Sequence, residues 1–218
     1  LLSDISQDQS VSDLADSIAP SLESGGGSLE SINSSTGNAG AGTGEGASFF
    51  GLEAQGRRFA YIVDVSGSMG ALTGEGVVTR WELTRSEIIR SIQSFDQNAV
   101  SLFGNDNWIR AEKKNKSLAG AGLFGISPSG GTEPLPAFDM IFDLDPKPDA
   151  IYFMTDGLLA LEVPAQVRQK NRRLEIPIHC ILFGELANQR DAKKALNMME
   201  DIAKYSGGKM TQFREGSP

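Results

Sequence analysis

An acidic and two hydroxyl side chains follow one apolar run of this sequence at alternate positions. The run covers residues 59–63, and Asp64, Ser66 and Ser68 come directly after it. A run rich in β-branched and aromatic residues predicts a buried strand, and open α/β sheets bind ligands at the carboxyl ends of their strands. Three oxygen-bearing side chains on one turning loop can converge on a hard cation.

Two further stretches place similar groups after apolar or glycine-rich segments. Residues 150–154 form a second apolar run that ends in Thr155, Asp156 and Gly157, and the glycine-rich segment 117–131 leads into Thr132. Strand ends of a parallel sheet lie on one edge, so these loops can meet. The hydroxyls and carboxylates form a hard-oxygen set suited to Mg²⁺, or to Mn²⁺ or Ca²⁺. The predicted metal ligands are Asp64, Ser66, Ser68, Thr132 and Asp156.

Alternating helix and strand patterns indicate how these loops are held. The periodicity predicts helices over 79–95, 134–144, 164–173 and 192–205, and strands over 99–103, 177–183 and 209–213. Residues 108–111 fit an edge strand, and 112–116 fit a polar turn. Strands alternating with helices predict an α/β fold, with a doubly wound, Rossmann-like, mostly parallel sheet and helices on both faces.

Charge and composition divide the chain into segments. Residues 1–47 contain acids but no lysine or arginine, so the net charge of −8 belongs mostly to them. Neither part has the basic face of a nucleic-acid-binding protein. Residues 1–24 are predicted to be an acidic tail, either disordered or forming a short amphipathic helix. Residues 25–47 read as a Gly/Ser-rich linker, and 48–218 as the folded domain.

No apolar run reaches the roughly 18–20 residues that span a bilayer. Membrane attachment is therefore expected only through an anchor outside these residues.

Three motifs together resemble the von Willebrand factor type A domain with its metal-ion-dependent adhesion site. They are Asp-x-Ser-x-Ser from Asp64 to Ser68, Gly-Gly-Thr ending at Thr132, and Thr-Asp-Gly ending at Gly157. The resemblance covers residues 57–214, and the lead-in at residues 48–59 resembles type A domains of bacterial cell-envelope proteins. One departure is the short, glycine-rich segment 111–129, which suggests a differently shaped metal-facing surface.

The resemblance implies about six strands, one of them an antiparallel edge, and an interaction module rather than an enzyme. Ser66, Ser68 and Thr132 would bind the metal directly, while Asp64 and Asp156 would act mostly through water. The partner would be a protein that offers an Asp or Glu carboxylate. An extracytoplasmic location in the bacterial envelope is expected, and the acidic tail is expected to dock on a neighbouring subunit.

Two other functions stay open. One is a structural subunit of an envelope assembly whose metal site is vestigial. The other is a Mg²⁺-dependent hydrolase, although dehalogenase-type phosphatases need a second acid where this chain has Ser66.

Simpler interpretations also exist for individual residues. Asp64, Ser66 and Ser68 fit a capped turn, Thr132 an N-cap, and Asp156 an Asp-Gly turn. Glu133 fits a first-turn acid, and His179 and Cys180 fit core packing.

Overall fold

The strand that precedes Asp64 lies at the centre of the sheet in the computed structural model, which describes residues 46–73, 76–93, 99–101, 108–184 and 189–213. The strands are β1 (Gly46–Phe49), β2 (Leu52–Gln55), β3 (Arg58–Val63), β4 (Ala99–Ser101), β5 (Ile109–Arg110), β6 (Ala150–Thr155), β7 (Ile178–Phe183) and β8 (Met210–Phe213). The helices are α1 (Arg80–Gln93), α2 (Lys113–Phe124), α3 (Leu135–Asp143), α4 (Val163–Asn171) and α5 (Gln189–Ser206), and a short 3-10 helix covers Gly67–Gly70.

The main sheet has six strands in the order β5-β4-β3-β6-β7-β8. Neighbouring strands in this sheet are parallel, except that β5 pairs antiparallel with β4 at one edge. Strands β6 and β7 are buried along their whole length, because helices cover both faces. The α/β fold class and the antiparallel edge are therefore confirmed.

Alternate side chains of β3 enter two separate cores. Phe59, Tyr61 and Val63 face α1 and α2, whereas Ala60 and Ile62 face α3, α4 and α5. This two-sided burial is the reason that the strand reads as a continuous apolar run rather than as an alternating one.

The prediction of a turn and loop after β5 is wrong, because residues 113–124 form α2. The glycines of this segment argue against a helix, since glycine lowers helix propensity. Packing overrides that preference: a Cβ added at Gly120 would meet Ile89 of α1 at 3.9 Å, so the two helices approach closely there. The Arg85 guanidinium of α1 also lies 4.1 Å from the centre of the Phe124 ring.

A hairpin formed by β1 and β2 was not predicted. In its turn, Phe50 has a φ of 47° and Gly51 a φ of 75°. Both values lie in the left-handed region, which glycine adopts most readily. Phe49 is fully buried, with ring centroids 5.4 Å from Tyr61 and 5.6 Å from Tyr152. The hairpin therefore covers the face of the sheet that carries these two tyrosines.

All described residues belong to one compact unit, Gly40–Ser217. The predicted tail (1–24) and nearly all of the predicted linker (25–47) lie outside the described residues. In the part of the chain that the structure describes, none of the helices combines the length and apolar character needed to cross a membrane.

Candidate metal site

The loop after β3 is shaped by the residues that were singled out in the sequence. The Asp64 N–H donates to the Met154 carbonyl at 2.9 Å, and the Asp64 Oδ1 accepts the Ser66 N–H at 2.8 Å. The 3-10 helix follows at once, and its Met69 side chain is fully buried. The hydrogen bonds of Asp64 and the buried Met69 side chain thus hold Ser66 and Ser68 at the carboxyl end of β3.

Asp64 connects this loop to the two others. Its Oδ2 accepts the Thr132 hydroxyl at 2.8 Å and the Thr155 hydroxyl at 2.6 Å. Asp64 is 8% exposed, so these donors replace water around a buried carboxylate. The simpler alternative for Thr132, an N-cap, does not apply, because Pro134 occupies the N-cap position of α3.

A chain of polar contacts runs from Ser66 to Arg80. The Ser66 and Ser68 hydroxyl oxygens lie 3.0 Å apart, and the Ser68 hydroxyl donates to Asp156 Oδ1 at 2.8 Å. The other oxygen, Asp156 Oδ2, accepts from Arg80 Nη1 at 2.8 Å. This ion pair is largely buried, with side-chain exposures of 17% for Arg80 and 0% for Asp156.

Backbone bonds fix the glycine-rich loop against this chain. The Ser129 N–H donates to the Val65 carbonyl at 2.7 Å, and the Gly67 N–H donates to the Gly130 carbonyl at 3.1 Å. Gly130 has a φ of 75°, in the region that favours glycine. Thr132 is therefore presented beside the other loops by the motif that precedes it.

The structure brings together all five predicted ligands, which we call the oxygen cluster: Asp64, Ser66, Ser68, Thr132 and Asp156. Two partners of the cluster were not predicted. Thr155 is adjacent to Asp156 in the motif, and it also accepts the Gly157 N–H at 3.1 Å, so the motif itself contained the signal. Arg80 gave no such signal, since it begins a helix far from Asp156 in sequence.

His179 and Cys180 lie in β7 and are not part of the oxygen cluster. The His179 Nδ1 accepts the Lys209 N–H at 3.2 Å, and burial together with the Lys209 charge lowers the pKa of this imidazole. Burial raises the pKa of the Cys180 thiol well above its usual range. Both residues pack in the core, while Glu133 is exposed.

Solved structures resemble this fold. A von Willebrand factor type A protein from Catenulispora acidiphila has a TM-score of 0.59 and 17% identity; the alignment covers 75% of this chain and 41% of that one. BatB from Bacteroides thetaiotaomicron has a TM-score of 0.54 and 16% identity, covering 74% of this chain and 92% of that one. An aerotolerance-related membrane protein from Bacteroides fragilis has a TM-score of 0.55 and 17% identity, covering 72% and 91%.

The chain has a von Willebrand factor type A fold. No protein-family model and no curated protein matches the sequence. This chain spans less than half of the Catenulispora protein, and at these identities the likeness concerns the fold alone.

The oxygen cluster of this type A fold consists of hydroxyl and carboxylate oxygens, the type of ligand that hard cations take in proteins. Oxygens on neighbouring corners of a Mg²⁺ octahedron, each about 2.1 Å from the ion, lie about 3 Å apart. The Ser66 and Ser68 hydroxyl oxygens, which are hydrogen-bonded to each other at 3.0 Å, lie at a separation that also fits this arrangement. Among the described residues no group of three or more His, Cys, Asp or Glu side chains is arranged to hold a metal.

Proposed function

We propose that this type A domain is a divalent-metal-dependent protein-interaction module and not an enzyme. It would bind a carboxylate of a partner protein at the oxygen cluster. The observation that carries the proposal is the convergence of three hydroxyls and two carboxylates from three loops, with two hydroxyl oxygens at the spacing of an octahedral edge.

The side chains of the cluster divide into two roles. The Ser66, Ser68 and Thr132 hydroxyls would hold the ion directly, since a hydroxyl oxygen keeps its lone pairs free when its proton is donated to a carboxylate, as in Ser68 and Thr132. Asp64 and Asp156 would orient these hydroxyls, because each carboxylate already accepts hydroxyl hydrogen bonds. A bound Mg²⁺ or Mn²⁺ supplies positive charge and a coordination position for an oxygen of the partner.

The surface around the cluster supports access by a protein. Ser68, Gly130 and Gly131 are exposed, whereas Asp64 and Asp156 are buried beneath them. Leu158 and Leu161, in the loop after Asp156, are 38% and 78% exposed. An Asp or Glu of the partner with apolar neighbours fits this combination of charge and exposed leucines.

Calorimetric titration with Mg²⁺ and Mn²⁺ tests the metal site. The intact chain should bind one ion, and Asp64→Ala or Ser68→Ala should abolish binding while the circular dichroism spectrum stays unchanged. Ser129→Ala is the matched control, since Ser129 is exposed in the glycine-rich loop and bonds through its backbone. Metal binding that survives in the Asp64 and Ser68 variants would contradict the site.

One observation favours a second candidate, a structural subunit with a vestigial metal site. The Arg80 guanidinium neutralises Asp156 within the fold, so the carboxylate has a counter-ion without metal. On this alternative no ion binds at any concentration that leaves the fold intact. Partner capture with metal and with chelator separates the two, since only the first candidate requires metal.

The likeness to the aerotolerance-related membrane protein supports a role in the bacterial cell envelope. Subcellular fractionation of the source cells tests this location. Recovery in the cytosolic fraction alone would contradict it. The acidic tail would add a contact to a neighbouring subunit, and removal of residues 1–47 would then change the oligomeric state.

A further inference from the structure

We infer that Arg80 is an internal competitor of the metal ion at the oxygen cluster. Its guanidinium pairs with Asp156, and this pairing lowers the affinity for divalent cations. This inference rests on the proposed metal binding and adds a residue that determines its strength.

The contact between Arg80 and Asp156 is built into the fold. Arg80 is the first residue of α1, and its N–H donates to the Ala71 carbonyl at 3.0 Å. The preceding residue, Thr79, is bonded to Glu82 through both its N–H and its hydroxyl. The backbone that carries the guanidinium is therefore fixed next to the cluster.

Asp156 is shared between the cluster and the guanidinium. Its Oδ1 accepts the Ser68 hydroxyl and its Oδ2 accepts Arg80 Nη1, both at 2.8 Å. Ser68 is one of the hydroxyls that would hold the ion. A cation bound by Ser68 would therefore interact with Asp156 while Asp156 is already paired with Arg80. The Arg80 charge is permanent, since arginine stays protonated in proteins.

Burial makes this competition strong. Like charges repel more in a partly buried site than in water, and Asp156 is shielded from solvent while Arg80 is only 17% exposed. Binding of a divalent ion must overcome this repulsion or displace the guanidinium from Asp156. A carboxylate from a partner adds negative charge, which offsets the repulsion, so metal and partner should bind cooperatively.

Substitution of Arg80 measures the competition directly. Arg80→Gln should bind Mg²⁺ and Mn²⁺ about tenfold more tightly than the unmodified chain in calorimetry. Without metal the variant should melt at a lower temperature, because Asp156 is left buried without its counter-ion. Arg90→Gln is the matched control: it removes the same charge from the same helix, where Arg90 is 69% exposed and pairs with Glu87.

A second set of measurements follows the Arg80 side chain and the effect of a probe carboxylate. In the unmodified chain, the Nε–H signal of Arg80 in a ¹H–¹⁵N spectrum should shift when Mg²⁺ saturates the site, whereas that of Arg90 should stay in place. Acetate at millimolar concentration, used as a probe carboxylate, should raise Mg²⁺ affinity more in the unmodified chain than in Arg80→Gln.

The outcomes separate this inference from the proposed function. Tighter binding in Arg80→Gln but not in Arg90→Gln supports competition. Equal or weaker binding in Arg80→Gln, or an Arg80 signal that stays in place at saturation, overturns the role of Arg80 and leaves the metal site standing. Absence of metal binding in every chain, Arg80→Gln included, overturns both.

Discussion

Asp149 shows how a single carboxylate joins β3 and β6 at their amino-terminal ends, opposite to the ends that carry the oxygen cluster. It lies just before β6, and its Oδ2 accepts the N–H groups of Arg57 and Arg58 at 2.7 Å and 2.9 Å. Arg58 Nη2 donates to the other oxygen at 2.8 Å. Burial alone would raise the pKa of this carboxyl, but the hydrogen bonds and the Arg58 charge outweigh it, and the pKa is lowered.

The lowered pKa of Asp149 predicts acid sensitivity. A carboxyl whose pKa is lower in the folded state stabilises the fold above its unfolded pKa, which is about 3.9. That contribution is lost as the pH falls from this value through the folded pKa. Asp149→Asn should therefore cost about 1.5 kcal/mol or more of unfolding free energy at pH 7, and the cost should shrink toward pH 3.

Urea unfolding at pH 7 and at pH 3 measures this difference. Asp143→Asn is the control, since Asp143 is exposed at the end of α3. If the Asp149 substitution costs the same at both pH values, the hydrogen bonds of Asp149 do not depend on its charge.

At the scale of elements, the start of α1 is set by a capping box. The Thr79 N–H and hydroxyl donate to Glu82 Oε2 at 2.7 Å and 2.9 Å, and the Glu82 N–H donates back to the Thr79 hydroxyl at 3.1 Å. Hydrogen bonds from the backbone and side chain of Thr79 lower the pKa of Glu82. The box also fixes the position of Arg80, the next residue.

Thr79→Ala should lower the unfolding free energy by about 1 kcal/mol, because it removes the cap of α1. Chemical denaturation measures the change. Ser86→Ala is the control on the same helix: Ser86 is exposed and its hydroxyl bonds the Glu82 carbonyl within the helix. A Thr79 variant as stable as the Ser86 variant would show that packing, and not the cap, sets the start of α1.

The elements predicted correctly are those whose local pattern agrees with their packing. Runs 59–63 and 150–154 are apolar throughout because β3 and β6 are buried on both faces. Helix α2 was not predicted because Gly120 and Gly122 lower the helix propensity of its sequence. The packing against α1 that stabilises it involves residues distant in sequence. The hairpin was missed because each of its strands has only four residues.

The same distinction applies to the candidate site. The oxygen cluster was predicted because each motif is local and parallel strands bring their ends to one edge. The contact between Arg80 and Asp156 depends on where α1 begins in space relative to β6, and no local pattern encodes that.

At the scale of the whole domain, the hairpin makes up part of the core. Phe49 packs edge-to-face on Tyr61 and Tyr152, and the Tyr152 hydroxyl lies 2.7 Å from the Ala47 carbonyl and 3.0 Å from that of Leu52. The Tyr61 hydroxyl pairs with Ser91 of α1 at 2.9 Å. Hairpin, sheet and α1 are thus joined through two buried tyrosines.

Phe49→Ala should lower the unfolding free energy by about 3–5 kcal/mol, because it leaves a cavity between the hairpin and the sheet. Phe124→Ala is the matched control, since Phe124 is 50% exposed at the end of α2. Thermal or urea unfolding gives both values. A loss no larger than that of the control would mean that the hairpin does not contribute to the stability of the domain.

Metal binding should be linked to the stability of the whole domain. The loops of the oxygen cluster converge only in the folded state, so an ion that binds there stabilises the fold by about 2.7 kcal/mol at a concentration one hundred times its dissociation constant. The melting temperature should therefore rise with Mg²⁺ in the unmodified chain. It should not rise in Ser68→Ala, although loss of the hydroxyl bond to Asp156 lowers the starting melting temperature of that variant.

Comparison with Phe49→Ala separates the site from the core. The hydrogen bonds of the oxygen cluster run among its own loops and to Arg80 rather than to the hairpin, so the effects of Phe49 and of the metal site should largely add. The Phe49 variant should melt at a lower temperature at every Mg²⁺ concentration but show the same metal-induced gain in unfolding free energy as the unmodified chain. A gain that disappears in Phe49→Ala would mean that the hairpin face and the oxygen cluster are coupled through β3. A gain that persists in Ser68→Ala would place the bound ion elsewhere on the protein.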